Sequence, residues 1–444
     1  MRKNDRFGLL EKALSLCKAD EAEILLVHKK SGLTRFTQNT IHQNLSSENT
    51  ELKIRIIKGD REGAATTNRL DEEGLKRAAS QALESVLAQK KGRQFPGLPR
   101  ASKTLVSDDA DPATERCSPA RRAGMVKKII SLSKKHKADA AGALSTTAII
   151  LAVANSSGIR SLHNTTRASL NFVPSRARHS GYTFWTGRTL DDLPLEELTE
   201  EALLKIRFSS DPVALEPGVY PVVLSPYAVG RMIEVLSYAG FGAKAYLEKR
   251  SFMTNLMGKK VASEKITIYD DGHDLSGLPL PFDYEGVLKR KVFLIKKGVA
   301  AGVVYDSRTA AKAGVKNTGH ALPAPNIFGP YALNLFLSPG KHTEEDLLKS
   351  LDKGLYITKF HYTNIVEPVS TVITGMTKDG TFWIEKGKIA APVRNLRFTQ
   401  NVLEALKNVE AIGKEQRSLS NDLGAITAPA LLIRAFTFTG VSEL

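Results

Sequence analysis

The first half of the chain contains two stretches in which a helix, several antiparallel strands and a closing helix follow one another. Residues 51–58 alternate apolar and charged side chains, which is typical of a strand with one buried face. Asp71 precedes a helical pattern whose apolar stripe consists of Leu75, Ala79, Ala82 and Val86. In the second stretch, Ser118 and Pro119 favour a helix N-cap and a first helical residue, and Pro194 begins the closing helix. The pattern predicts two self-sufficient helix-and-sheet units.

Shorter strands and turns are predicted within both units. Gly32 is expected to turn the chain between a strand at 22–30 and a strand at 33–38. The strands expected in the second unit cover 143–155, 159–164, 167–173 and 182–186. The two units show negligible sequence identity, so the repeat lies in the order of the elements only.

The second half of the chain, from about Pro217, has many short apolar strands separated by glycine, together with a helix predicted over 226–239. Such a pattern favours a sandwich or a barrel. We therefore predict an α+β fold, in which duplicated N-terminal helix and antiparallel-sheet units are followed by a β-rich sandwich- or barrel-like C-terminal domain. The predicted domains are 1–90 (first unit), 91–117 (basic, proline-containing linker), 118–210 (second unit) and 211–444 (β-rich domain).

Composition narrows the class of protein. The chain has 444 residues, of which 42% are hydrophobic and 25% charged, as in ordinary globular proteins. Its longest wholly apolar run, 148–154, is far shorter than the ~20 residues that span a bilayer. Cys17 and Cys117 are its two cysteines, too few for a disulfide scaffold. These features exclude a membrane-spanning, disulfide-rich secreted, disordered or collagen-like chain, and we expect a cytoplasmic protein.

Charge adds an alternative function. The formal net charge is +16, and residues 88–137 hold 13 Lys/Arg against four Asp/Glu. A basic stretch of this kind can bind nucleic acid or an acidic partner. Aromatic residues do not interleave these charges as they would on a base-stacking surface. A solvated linker followed by a solvated helix face is therefore the favoured explanation, and nucleic acid is not the expected partner.

Seven segments of the second half occur in an order that is similar to one protein family. They lie at 258–262, 266–272, 305–310, 317–321, 334–340, 344–358 and 382–387. In this order they resemble the TldD/PmbA family, also called the modulator of DNA gyrase family. Residues 35–51 and 63–75 resemble the N-terminal module of the same family. The resemblance implies either a zinc metallopeptidase or its non-catalytic partner subunit.

Active members of this family carry His-Glu-x-x-x-His on a helix and a further cysteine ligand near the C-terminus. Such a site needs converging imidazoles on Zn²⁺ and a carboxylate that accepts a proton from the metal-bound water. Counting back from 258–262, the corresponding segment here is 234–239. Glu234 and Ala239 occupy the histidine positions, and Val235 occupies the position of the general base. The nine histidines include no pair within five residues, and no cysteine follows Cys117.

This departure resembles the PmbA/TldE branch of the family, whose members pair with a TldD-type subunit that carries the HExxxH motif. The resemblance therefore implies no catalytic residue and no metal ligand in this chain, with zinc expected only in an active partner. Glu234, Ser237 and Tyr238 would line a degenerate active-site cleft. Val235 and Ala239 would occupy the positions of catalytic residues in that cleft. The other interpretation makes Glu234 an exposed helix carboxylate and Tyr238 a packing residue.

Other candidate residues lie further along the chain. His320 and Asn334 are candidate cleft residues, although a histidine in a loop is more often a hydrogen-bonding surface residue. A zinc site assembled from His320, His361 and Glu367 is a minor alternative. Residues 270–274 have the acidic character of a calcium loop without its full ligand spacing, and we interpret them as a turn after a strand.

Three functions remain after this reading. The leading hypothesis is a non-catalytic subunit of a cytoplasmic zinc metallopeptidase complex that handles extended peptides, inactive alone. The alternatives are a stand-alone metallopeptidase with an unrecognised metal site and a basic nucleic-acid-associated regulator. We expect a homodimer, or a heterodimer with an HExxxH-bearing subunit, formed through the second half of the chain. Tyr227, Phe328 and Tyr331 are the aromatic residues expected at its exposed surface.

Overall fold

The first half of the chain forms one eight-stranded sheet with its helices. A computed structural model describes residues 3–89, 95–100, 104–208, 210–420 and 424–442. The predicted linker residues 91–94 and 101–103 lie outside these ranges. The strands are β1 (Glu21–Thr37), β2 (Thr40–Lys58), β3 (Arg61–Thr67), β4 (Leu105–Asp108), β5 (Asp139–Asn155), β6 (Arg160–Arg176), β7 (His179–Ser180) and β8 (Thr183–Gly187). The helices are α1 (Lys3–Ser15), α2 (Glu72–Leu87), α3 (Pro112–Glu115), α4 (Pro119–Lys135) and α5 (Leu195–Leu204).

The two predicted units share this sheet. Its strand order is β3-β2-β1-β5-β6-β4, and β7 and β8 both pair with β6. β1 pairs antiparallel with β2 and, on its other side, with β5 over a long register from Glu23–Asn155 to Phe36–Gly142. The units are therefore not self-sufficient, because the central pairing of the sheet joins a strand of one unit to a strand of the other.

Residues of alternating parity face opposite sides of the sheet, as strand geometry requires. The even-numbered side chains of β1, β5 and β6 pack under the helices. α1 and α2 cover one end of this face, and α4 and α5 cover the other end. The predicted stripe of α2 is buried, and Asp71 accepts a hydrogen bond from Gly74 N as the predicted N-cap. Ser118 caps α4 in the same way, ahead of Pro119.

The expected turn at Gly32 is wrong. β1 runs without interruption from Glu21 to Thr37, and Gly32 pairs within it. A Cβ atom at this glycine would lie 2.2 Å from Nη1 of Arg122, so the missing side chain makes room for a fully buried guanidinium of α4. The strands expected at 159–164 and 167–173 are likewise a single strand, β6.

The second half forms an eleven-stranded sheet. Its strands are β9 (Gly218–Leu224), β10 (Ile268–Asp270), β11 (Val292–Lys296), β12 (Val299–Ala300), β13 (Asn334–Leu337), β14 (Lys353–Glu367), β15 (Val372–Glu385), β16 (Lys388–Pro392), β17 (Leu396–Asn401), β18 (Val409–Ser420) and β19 (Ala425–Val441). Its helices are α6 (Pro226–Leu236), α7 (Ala243–Leu247), α8 (Ser307–Ala313), α9 (Glu344–Lys349) and α10 (Val402–Lys407).

Five of these strands close into a barrel. The pairings run β9-β14-β15-β17-β19, and β19 pairs back onto β9. β13 joins the outside of β19 in parallel and extends the sheet to β10, β11 and β12. The α+β class and the β-rich barrel-like second half are thereby confirmed, with 24% helix and 44% strand. We refer to the two halves as the N-terminal and C-terminal lobes.

The helix predicted over 226–239 is mostly α-helical. α6 ends at Leu236, and Ser237–Phe241 continue as a π-helical turn. α6 lies against β14 and β19, and nearly all of its residues are buried in the main core of the C-terminal lobe. Among the residues of α6, Arg231 and Glu234 are the partly exposed ones, so the helix is held mainly by its packing in the core.

Candidate functional site

The segment that corresponds to the family's zinc helix lies where α6 passes into the π-helical turn. Val235 is 5% exposed and Ala239 is 4% exposed, and both belong to the main core of the C-terminal lobe. An apolar side chain at each of these positions contributes to packing. An imidazole or a carboxylate there would lose hydration that the surrounding aliphatic residues do not replace.

The polar members of this segment have separate environments. Glu234 forms an ion pair with Arg231 one turn earlier on α6, and its side chain is half-buried. Ser237 is buried and donates a hydrogen bond to Ala332 O at 3.3 Å. Tyr238 is 62% exposed, so the interpretation of Tyr238 as a packing residue is wrong. That Glu234, Ser237 and Tyr238 line a degenerate active-site cleft stays a prediction.

His320 and Asn334 meet in a fully buried polar cluster. Nε2 of His320 donates to Oδ1 of Asp270 at 2.9 Å, and the ring is 0% exposed. Lys289 donates to Oδ1 of Asn334 at 2.7 Å and to Oδ1 of Asp270 at 3.3 Å. The backbone N–H of Asn334 donates to Oδ2 of Asp270 at 2.7 Å. We call Asp270, Lys289, His320 and Asn334 the Asp270 cluster, and the surface location expected for His320 is wrong.

Electrostatics make the Asp270 cluster a stable arrangement. Burial alone would raise the pKa of Asp270, but the charge of Lys289 and the hydrogen bonds from His320 and Asn334 hold it well below its usual range. Burial, followed by the charge of Lys289, lowers the pKa of His320 and favours its neutral form. One carboxylate thus balances one ammonium, and every polar group has a partner. The arrangement is that of a structural network.

The three residues of the alternative zinc site, His320, His361 and Glu367, do not come together in the structure. His361 lies on β14 with its ring against Tyr362, and Glu367 accepts hydrogen bonds from the N–H groups of Val369 and Ser370 at the exposed β14–β15 turn. His320 is committed to the Asp270 cluster. Across residues 3–89, 95–100, 104–208, 210–420 and 424–442, no group of three or more His, Cys, Asp or Glu side chains could hold a metal ion.

Asp270 is the last residue of β10, and residues 271–274 form a turn after it, as the sequence predicts. Asp271 accepts a hydrogen bond from His273 N at 3.1 Å and forms an ion pair with Lys291 at 3.3 Å. Asp274 accepts from Ser276 N at 3.0 Å. These carboxylates therefore bind groups of their own turn and its neighbouring strand.

A second, largely buried ionic cluster, at the boundary of the two lobes, was not expected. Nη1 of Arg55 lies 3.4 Å from Glu23 and 3.2 Å from Glu285, and its Nη2 lies 2.8 Å from Glu62. Arg308 of the C-terminal lobe also pairs with Glu62, at 2.9 Å. We call Glu23, Arg55, Glu62, Glu285 and Arg308 the Arg55 cluster. A signal existed in the sequence, because Ile57 shares a strand face with Arg55 and an apolar residue there indicates a face that is covered.

Three carboxylates surround one guanidinium in this cluster, so one of them is costly to ionise. Burial raises the pKa of Glu23 to about 7, and Glu285 and Glu62 add to the shift while Arg55 opposes it. Oε2 of Glu23 is a buried oxygen without a hydrogen-bond partner among the residues that the structure describes. The Arg55 cluster is therefore sensitive to pH near neutrality.

A cleft of about 670 Å³ lies between the two lobes. Its floor is the odd-numbered face of β2, β1, β5 and β6, and its roof includes Leu278, Pro279, Leu280, Tyr284 and Pro323 of the C-terminal lobe. We call this space the interlobe cleft. Asn334 touches it as well, which places one predicted cleft residue at a real cavity.

Large apolar side chains are exposed next to the zinc-helix segment. Ile327 is 69% exposed and Phe328 is 64% exposed, and the carbonyl of Ile327 accepts a hydrogen bond from Lys244 just beyond the π-helical turn. We call Tyr238, Ile327 and Phe328 the apolar patch. Phe328 is thus exposed as predicted, whereas Tyr227 is 3% exposed and its expected surface position is wrong.

No helix of the described residues is long and apolar enough to cross a bilayer. This finding agrees with the short apolar runs of the sequence.

Two family models match the chain. Residues 217–440 match the model described as the PmbA/TldA metallopeptidase C-terminal domain, and residues 22–86 match the model described as PmbA/TldA metallopeptidase domain 1. The first match spans just over half of the chain, and the second covers β2, β3, α2 and most of β1, which form one side of the N-terminal sheet.

Individual relatives extend the similarity over nearly the full chain. Metalloprotease PmbA of Escherichia coli O157:H7 is 25% identical over 456 residues, which cover 96% of each chain. A metalloprotease TldD homolog of Buchnera aphidicola is 25% identical and covers 86% of this chain and 84% of its own. The crystal structure of TldE from Thermococcus kodakarensis superimposes with a TM-score of 0.88 at 22% identity, over 98% of this chain and 100% of that chain. The fold is therefore TldE-like.

Proposed function

Because the chain belongs to the PmbA/TldD metallopeptidase family, we propose that it is a non-catalytic, PmbA/TldE-like subunit of a cytoplasmic peptidase complex. In this proposal a TldD-type subunit with the HExxxH motif supplies the zinc and the chemistry. The present chain completes the assembly and helps to hold extended peptides.

One observation carries the proposal. At the positions where active relatives place two histidines and a glutamate, this chain has Glu234, Ala239 and Val235, and the last two are buried in the core. The side chains present do not fit a zinc ion, since imidazole, thiolate and carboxylate ligands must converge on the metal. No step of a reaction is therefore assigned to these residues.

The apolar patch supports the assignment of a partner. Tyr238 lies on the zinc-helix segment and Ile327 and Phe328 lie on the loop beside it, and each of the three residues is more than half exposed. Aromatic residues are enriched at the centres of protein interfaces. A catalytically active subunit that docked on the apolar patch would lie next to the segment in which this chain lacks the zinc ligands.

The test of the partnership is co-expression with an HExxxH-bearing relative from the same organism, followed by size exclusion with light scattering. We expect a homodimer of the isolated chain and exchange into a mixed dimer when the relative is present. Phe328→Asp and Tyr238→Asp should weaken the mixed dimer at least tenfold, because each places a charge in a desolvated contact. Leu87→Asp, at another exposed apolar position (55%) on α2, is the matched control.

The test of inactivity is elemental analysis and a peptidase assay of the purified chain. We expect no stoichiometric zinc and no cleavage, and we expect the triple variant Glu234→His, Val235→Glu, Ala239→His to stay inactive because the remaining ligand and its orienting partners are absent. About one zinc per chain, retained through dialysis, would favour the stand-alone peptidase instead. Salt-dependent binding to duplex DNA would favour the nucleic-acid regulator.

A further inference from the structure

A groove of about 720 Å³ lies where the segment after α2 meets both lobes. Its walls are residues 96–100, residues 286–290 of the C-terminal lobe, and α8 with residues 315–317 that follow it. Leu105 of β4 and Ile159, next to β6, complete it from the N-terminal lobe. We call this space the linker groove. Its volume is within the range of about 300–1,000 Å³ that is typical of ligand pockets.

Aliphatic side chains form most of the surface of the linker groove. Leu98, Ile159 and Ala310 are buried at its base, whereas Leu288 and Val315 are 49% and 47% exposed. Apolar residues that lie together in an open groove are typical of a surface that a partner covers. The base and the two exposed residues therefore offer a place for apolar side chains of a ligand.

The polar side chains between these apolar residues already have partners. Nδ2 of Asn317 donates to Oγ of Ser307 at 2.9 Å, and Oδ1 of Asn317 accepts from the N–H of Gly319 at 2.8 Å. A ligand consequently does not have to satisfy a buried polar group of the wall in order to bind.

The wall formed by residues 96–100 is fixed to the N-terminal lobe. The N–H of Leu98 donates to Oε1 of Glu21 at 3.1 Å, and Nδ2 of Asn155 donates to the carbonyl of Pro99 at 2.9 Å. The linker groove is therefore formed before a ligand arrives, and binding would not incur the entropy cost of ordering this wall.

The charges that line the linker groove are all positive. Arg100, Arg290 and Lys316 are exposed and each comes from a different wall, while the lining residues that the structure describes include no carboxylate. Within the described part of the chain, none of these three side chains forms an ion pair. Two carboxylates adjacent to the walls, Glu21 and Glu285, are occupied by a backbone N–H group and by a guanidinium. The linker groove thus combines an apolar base with three available cations.

We propose that the linker groove binds a short segment of a partner protein that is both apolar and acidic. Apolar side chains of this segment cover Leu288 and Val315, and its carboxylates pair with Arg100, Arg290 and Lys316. The inference goes beyond the proposed function and does not depend on it, because the linker groove shares no residue with the apolar patch or with the zinc-helix segment.

The same features favour an acidic peptide over other anions. No aromatic ring is present among the described residues of the lining, so the groove lacks a surface on which bases could stack. Three cations on three walls suit several separate carboxylates, whereas the single head group of a fatty acid would reach one wall. The aliphatic base offers nothing to a sugar-phosphate backbone but does offer contact area to leucine or phenylalanine side chains.

The experiment is isothermal titration calorimetry of the purified full chain with the peptide Asp-Glu-Leu-Phe-Asp-Glu, acetylated and amidated at its ends. We expect a Kd below about 0.5 mM at low salt, and at least fivefold weaker binding at about 0.3 M salt, since the cations are exposed. Replacing the leucine and phenylalanine by serine, or the four acidic residues by lysine, should each weaken binding at least tenfold.

Variants at exposed positions locate the site. Val315→Glu places a carboxylate among the apolar residues and should weaken binding at least tenfold. Val366→Glu, at a 58% exposed valine of β14 outside the groove, is the matched control and should bind as the unchanged chain does. Lys316→Gln should weaken binding about threefold, and Lys388→Gln, at an exposed lysine of β16, should not change it. Equal urea midpoints of each pair would show that the variants are folded.

Several results would overturn the inference. Absence of heat at about 1 mM peptide would do so, as would equal binding by the Val315→Glu and Val366→Glu variants. Binding of a single-stranded oligothymidylate that Val315→Glu abolishes, without binding of the peptide, would assign the groove to nucleic acid. Binding of dodecanoate in place of the peptide would assign it to a small amphiphile. Loss of the mixed dimer in the apolar-patch variants, with peptide binding intact, would affect only the proposed function.

Discussion

The two buried polar clusters differ in their balance of charge. In the Asp270 cluster one carboxylate meets one ammonium, a neutral imidazole and a backbone N–H, and Lys289 and Asp270 are both 0% exposed in their side chains. In the Arg55 cluster three carboxylates share one guanidinium, and Arg308 assists at Glu62 alone. The first lowers the pKa of its carboxylate, and the second raises the pKa of Glu23 to about 7.

This difference shows how location decides the role of a buried charge. The Asp270 cluster lies within one lobe and ties β10 to β13 and to the loop that carries His320, so its balance supports a permanent structure. The Arg55 cluster joins β1, β2 and β3 of the N-terminal lobe to Glu285 and Arg308 of the C-terminal lobe. Its excess of carboxylates makes the connection between the lobes depend on pH.

The largest effect should come from Asp270→Asn. The change keeps the shape of the side chain but leaves the ammonium of Lys289 buried without a counter-charge, which costs about 4 kcal/mol of unfolding free energy. Urea unfolding at pH 7 measures it. Asp271→Asn is the matched control, because its partner Lys291 is substantially exposed, and it should cost about 0.5 kcal/mol. Similar losses in both variants would show that the Asp270 cluster is not specially balanced.

Arg55→Met should follow in size. At pH 8 it leaves the buried carboxylates of Glu23 and Glu285 without their shared cation, while Glu62 keeps Arg308, and we expect a loss of about 3 kcal/mol. At pH 5 the loss should be about half as large, because carboxyl groups in the cluster take up protons. Lys53→Met, two residues earlier on the same face of β2, should change unfolding by about 0.5 kcal/mol or less. An equal loss at both pH values would contradict the assigned charge imbalance.

Glu23→Gln tests the sign of the pH dependence. The folded pKa of Glu23, about 7, is above its ordinary value of 4.5, so the folded state binds more protons than the unfolded state between these values. The stability that protonated Glu23 provides is present below pH 4.5 and is lost as pH rises through 7. We therefore expect Glu23→Gln to stabilise the chain by about 2 kcal/mol at pH 8 relative to its effect at pH 4.5, as measured by urea unfolding across pH. A variant whose pH profile parallels that of the unchanged chain would refute this assignment.

A neutral contact between the lobes gives the smallest expected effect. The hydroxyl of Ser161 donates to Gly286 O at 3.0 Å across the lobe boundary. Ser161→Ala should cost about 1 kcal/mol at every pH, because no charge is involved. Ser175→Ala, further along β6, serves as the control for the strand. A pH-dependent loss at Ser161 would indicate that the boundary responds as a whole and not through the Arg55 cluster.

Local features were predictable from the sequence because their causes are local. The helix caps at Asp71 and Ser118 depend on residues three positions away. The alternation of apolar and charged residues at 51–58 directly indicates a half-buried strand. The barrel-like second half followed from many short apolar strands. These inferences needed no knowledge of what lies across the sheet.

Features that depend on distant partners were not predictable. From the sequence, Gly32 indicates a turn. Its actual role is to make room for Arg122, which lies ninety residues later in the chain and packs against it only in the fold. His320 and Asn334 were both named from the sequence, but the residues that unite them, Asp270 and Lys289, are separated along the chain and meet only in the fold. The interlobe cleft escaped notice for the same reason, since its floor and roof come from different lobes.

The position of β19 has a consequence for synthesis on the ribosome. β9, β13, β17 and β18 all pair with this strand, and it occupies residues Ala425–Val441. β9 ends at Leu224, so it emerges about 200 residues before the strand that closes the barrel against it. At roughly 5–20 residues per second, that interval is about 10–40 s. By then all strands of the N-terminal sheet, the last of which ends at Gly187, have been synthesised. The barrel strands made so far still have unpaired edges. The second half of the nascent chain is therefore the segment for which a chaperone would matter most.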